Sequence, residues 1–147
     1  MPMKDLKRIL MCAVCTIVVT IHGSTVLKAQ NNFAADTIRW NCSRMHNLNN
    51  GDNFIFNCVV KSYGLEKIEW IQKSGAQVFT FSITGVDGEW QDVTLPGRLA
   101  LQISYEGNPG EMVFETDNAG KTTITYTLSG NDPLGIGYTF FVDNMAE

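Results

Sequence analysis

The chain has 147 residues, and eleven Lys/Arg against fifteen Asp/Glu give it a formal net charge of −4. Four of the basic residues and one acidic residue fall in 1–29, so residues 30–147 carry seven against fourteen, a net charge of −7. No Lys/Arg stripe interrupts that acidic stretch, which argues against nucleic acid as a partner, because phosphate backbones are repelled by such a surface.

Lys4, Lys7 and Arg8 open the chain, the apolar run ILMCAVCTIVVTI follows, and HGSTVLKAQ turns polar. Charged start, apolar middle and small-residue exit are the order of a secretory signal peptide. The run is short of the roughly 20 residues a membrane helix needs. Residues 1–29 are therefore read as a signal peptide cleaved after Ala29, with a cut nearer Ala35 as the alternative. The mature chain is expected in the periplasm, on the cell surface or secreted, with no membrane span. The competing readings are an uncleaved N-terminal anchor and a lipidated cysteine. Met11 and Val14 are bulky where a lipidated Cys needs a small neighbour. The C-x-x-C of Cys12 and Cys15 lies in the leader and is not taken as a redox motif, which needs an accessible thiolate at a helix start.

Residues 30–36, QNNFAAD, read as a flexible lead-in, and 37–147 as a single domain large enough for its own core. Turn signals then recur along the chain: NLNNGD, SYGLEK, KSGA, GVDGE, LPG, EGNPGE, TDNAGK and SGNDPLG. The segments between them alternate. Phe54, Phe56, Cys58 and Val60 share one face, as do Phe79, Phe81 and Ile83. Leu99, Leu101, Ile103 and Tyr105 follow, then Ile124, Tyr126 and Leu128, then Tyr138, Phe140 and Val142. Period-2 patterning between regularly spaced turns predicts an all-β fold with little or no helix. One apolar and one polar face per strand indicate antiparallel pairing, and the short connections indicate hairpins. The expected architecture is a single-domain antiparallel β-sandwich or meander barrel of about eight or nine short strands. Polar faces and short segments argue against an outer-membrane barrel, whose spans run about 9 to 11 residues behind an apolar outer band.

The stretch WNCSRMHNLNNGDNFIFNC holds Cys42, His46 and Cys58. A zinc site needs three or four ligands, commonly with a close Cys pair, and a nucleophilic Cys needs a His beside it. Neither spacing is met. Cys42 and Cys58 are each eight residues from Asn50, so a hairpin centred there sets them opposite one another and pairs Trp40 with Val60. In an oxidising compartment that predicts a disulfide between Cys42 and Cys58, with His46 in the loop near the hairpin tip.

Gly120-Lys121-Thr122 resembles the tail of a phosphate-binding loop, but Glu115 stands where the motif needs Gly and a strand follows instead of a helix. TDNAGK is read as a hairpin turn. Asn41-Cys42-Ser43 fits a glycosylation sequon and carries little weight, because it overlaps the expected bridge. GVDGEWQD gathers Asp87, Glu89 and Asp92 around Trp90, a set that suits a sugar stacked on the indole or a calcium ion. The bland reading of that set is a solvated turn beside a core Trp. There is no G-x-S-x-G, and scattered acids alone do not make a glycosidase. No cofactor or metal is expected. The sequence thus points to a non-enzymatic exported β-domain that binds a small ligand, glycan or envelope protein through Trp90, Asp87, Glu89 and Asp92. The alternatives are a structural or assembly subunit of the cell envelope, contacting its partner through a strand edge, and a small carboxylate-based hydrolase.

Overall fold

A computed structural model describes residues 31–129 and 137–147. The expected signal peptide lies outside the described residues. Eight strands follow one another: β1 (Thr37–Asn47), β2 (Asn53–Tyr63), β3 (Lys67–Gln72), β4 (Gln77–Asp87), β5 (Gly97–Tyr105), β6 (Asn108–Thr116), β7 (Thr122–Leu128) and β8 (Gly137–Ala146). Each pairs antiparallel with its sequence neighbour, and β8 returns to β1, closing the sheet into a barrel. This resolves the choice between sandwich and barrel. The only helical piece among the described residues is the 3-10 turn Lys73–Gly75.

Local chemistry accounts for the hairpins. Glu106 and Gly107 both take positive φ, 48° and 84°, giving the two-residue connection whose twist matches the β5–β6 strands. Asp117 Oδ1 accepts from the backbone N–H of Ala119 at 2.9 Å and of Lys121 at 2.8 Å, while Gly120 supplies φ 78°. The stretch that resembled a phosphate loop is thus the β6–β7 turn.

The alternation read from sequence sets the interior. Ile38, Trp40, Val60, Ile68, Phe81, Leu101, Ile103, Met112, Phe114, Ile124, Tyr126 and Phe140 are all buried. An eight-stranded barrel is just wide enough to be filled by such side chains. They form two aromatic groups. One, at the end where β1 begins, joins Phe33, Trp40, Trp90 and Phe114. The other runs through Trp70, Phe79, Tyr126, Tyr138 and Phe140. Phe54 follows the same alternation but is exposed at the other end.

Two expectations are corrected. Residues 31–36 are not a tail detached from the domain. Phe33 is fully buried, its ring 4.8 Å edge-on from Phe114. It is the one large apolar side chain in QNNFAAD, and burying it closes the end of the barrel. Nor are the strands short: six of the eight run 9 to 11 residues. Length therefore does not separate this barrel from a membrane-spanning one. Arg39, Lys61, Glu69, Glu111 and Glu115 alternate along the strands with the buried apolar residues, while Ile55, Val78 and Val86 are exposed. No helix of the described residues is long and apolar enough to cross a membrane.

Candidate functional site

The β4–β5 connection, residues 88–96, folds across the end of the barrel where β1 begins. Asp92 organises it: Oδ1 accepts from Thr94 N–H at 3.0 Å and from Thr94 Oγ1 at 2.6 Å, and the Leu95 N–H bonds back to the Asp92 carbonyl at 3.1 Å. This compact turn directs Trp90 inward. Its indole N–H donates to the Leu95 carbonyl at 3.2 Å, and its ring stacks on Trp40 at 6.1 Å between centroids. A side chain at Gly97 would run into that indole, so only glycine lets β5 start beside Trp90.

The segment 31–36 locks the turn in place. Phe33 N–H donates to the Trp90 carbonyl at 3.3 Å, and Val93 N–H to the Asn31 carbonyl at 3.0 Å. On the other side, Gly64 N–H reaches the Asp36 carbonyl at 3.0 Å. Gly64 has φ 52°, and a Cβ there would meet Ala34 Oxygen at 2.6 Å, so the β2–β3 turn and the segment touch backbone to backbone. Asp36 Oδ2 in turn accepts from the Asn32 N–H at 2.6 Å.

Where these pieces meet lies a cleft of about 370 Å³, bordered by Phe33, Leu65, Val86, Glu89, Trp90 and Leu99 among others. Of the four residues singled out from sequence, Glu89 and Trp90 line it. Asp87 ends β4 and is exposed, while Asp92 serves its own turn. Trp90 is only 6% exposed, so it offers no open ring face to a sugar. The three carboxylates do not converge: no group of three His, Cys, Asp or Glu able to hold a metal occurs among the described residues. The apolar border was not tied to the site from sequence. Leu65, from the β2–β3 turn, and Val86, near the end of β4, are both exposed, and only the closed barrel brings them beside Phe33.

Cys42 and Cys58 are direct partners in the β1–β2 register, as are Trp40 and Val60. The expected bond between them is nevertheless not formed in this structure; both are thiols, 3% and 6% exposed. Cys42 Sγ lies 3.5 Å from the Trp40 carbonyl, an acceptor for its proton. Its pKa is pushed well above the ordinary thiol range, first by its hydrogen bond with Cys58, then by burial and by the negative charge of Asp143. Cys58 is shifted the opposite way. Donation from Cys42 favours its thiolate, burial opposes, and the indole N–H of Trp70, which makes no well-aligned hydrogen bond, favours the thiolate again. His46 is not in the loop: it lies within β1 opposite Asn53, Nδ1 to Oδ1 at 3.1 Å. No family model matches this chain, and no curated protein or solved structure matches it either.

Proposed function

We propose that this chain is an exported, non-enzymatic β-barrel that binds a small molecule in the cleft beside Trp90 and Glu89. The observation that supports this is the cleft itself. At about 370 Å³ it falls within the size of small-molecule sites, and apolar side chains border it with one carboxylate at the rim. Leu65 and Val86 would cover an apolar body, and Glu89 would accept from a hydroxyl or ammonium group on it. A sugar fits less well, because stacking needs an open indole face and Trp90 is packed on Trp40. The leader-like composition of residues 1–29 supports export. A strand-edge contact with an envelope partner draws less support, since β1 and β8 pair and close the sheet, leaving one-sided stretches only at strand ends such as 53–57 of β2 and 77–81 of β4.

Thermal-shift titration of the purified chain tests the reading, using a panel of small amphipathic alcohols and amines, with sugars and calcium as separate arms. A ligand at about 100 times its Kd stabilises by about 2.7 kcal/mol, a shift of several degrees. Val86→Arg, which fills the mouth of the cleft, is expected to abolish the shift, and Glu89→Gln to weaken it. A panel without any stabilising compound, or a shift untouched by Val86→Arg, would sink the site.

A further inference from the structure

We infer that Cys42 and Cys58 form a closable pair: an intramolecular β1–β2 disulfide made by exchange with a disulfide donor, Cys58 attacking first and Cys42 completing the bond. Three observations carry this. The two residues are register partners on adjacent antiparallel strands, the arrangement in which Cβ atoms come within bonding range of a cross-strand bridge. Both residues border a cleft of about 530 Å³ on the barrel wall, with Arg39, Asn57, Ser74 and Asp143 around it, while their side chains are almost fully buried, so a small disulfide reaches the sulfurs when the β1–β2 pair opens locally. The pair is also asymmetric. Cys42 Sγ has the Trp40 carbonyl as acceptor at 3.5 Å, which holds its proton on the sulfur, and the directions in which the two thiols are shifted run in the same sense.

That asymmetry orders the chemistry, because the thiolate is the nucleophile in exchange. The Cys58 thiolate attacks one sulfur of the donor, breaking the donor's S–S bond and releasing one thiolate. Cys42 then gives its proton to solvent and attacks the Cys58 sulfur of the mixed disulfide, releasing the second thiolate. Two protein thiols are oxidised and one donor disulfide is reduced to two thiols. The near-complete burial of both sulfurs makes the closed bond slow to reduce while the barrel stays folded. The inference draws on the exported reading only for the compartment in which such donors prevail; it does not depend on the ligand cleft.

The test uses the purified, fully reduced chain, incubated with oxidised glutathione and then alkylated under denaturing, non-reducing conditions before mass measurement. The expected product is a monomer lighter by two hydrogen atoms, with neither Cys42 nor Cys58 alkylated and no retained glutathione. Its reduction by dithiothreitol should be slow in buffer and fast in denaturant. Cys42→Ser should then trap glutathione on Cys58 faster than Cys58→Ser traps it on Cys42. Alkylation of both Cys42 and Cys58 after oxidation, a stable adduct on either of them in the unsubstituted chain, or a dimer linked through them would overturn the pair. Equal or reversed trapping rates would overturn the order of attack. Because the donor is supplied, a negative result is independent of where the protein resides and of what the Trp90 cleft binds.

Discussion

Phe33 and Trp90 come from opposite sides of the sequence's apparent boundaries, one from a polar lead-in and the other from an acidic turn, and both end in the same aromatic group. For Phe33 the driving force is plain: a fully buried phenyl ring removes a large apolar area from water, and Trp40 and Phe114 supply its contacts. Phe33→Ala is therefore expected to destabilise by about 3–5 kcal/mol, a large share of the stability of an ordinary domain. Denaturant unfolding followed by tryptophan fluorescence checks this; a loss under about 1 kcal/mol would mean that Phe33 is not a core residue. For Trp90 the same burial changes its meaning. Its composition-level neighbours, Asp87, Glu89 and Asp92, suggested a ring ringed by acids. The turn made by Asp92 instead turns the ring inward and leaves Glu89 alone at the cleft. Period-2 alternation cannot reach this, because residues 88–96 are not a strand and the side a loop residue faces is fixed by loop geometry.

At the level of elements, most of the barrel was legible. The alternating faces of the segments around Phe81, Leu101, Ile124 and Phe140 correspond to β4, β5, β7 and β8 with those residues inward. The first hairpin shows where legibility stops. Its register pairs Trp40 with Val60 and Cys42 with Cys58, as symmetry about Asn50 requires, but it shifts between Cys42 and Arg44. A bulge of this kind restarts the alternation, so Met45 is buried and Arg44 exposed. Beyond it β1 continues through His46, which pairs with Asn53. The β6–β7 turn is simpler, and its chemistry is in the sequence. Asp117 bonds two backbone N–H groups that would otherwise be open to solvent. Asp117→Ala is expected to cost about 1 kcal/mol. Its measurement is the shift in denaturant midpoint at unchanged slope; no shift would mean that Gly120 alone specifies the turn.

For the whole molecule, closure is the decisive property. β8 pairs with both β7 and β1, so the C-terminal strand satisfies two neighbours at once. Deleting residues 137–147 would leave β1 and β7 with unpaired backbone groups, an invitation to intermolecular pairing. Size-exclusion of that truncated chain is expected to show aggregates or an unfolded species; a folded monomer would show that β1–β8 pairing is dispensable. The sequence by itself determined the all-β class, the antiparallel order, the inward residues of the strands and the β1–β2 cysteine register, because alternation and turn chemistry act over a few residues. Only the tertiary structure decided that the sheet closes, that Phe33 seals its end, and that Leu65, Val86 and Glu89 share a cleft. Those outcomes depend on contacts between residues far apart in the chain, and no local period carries that information.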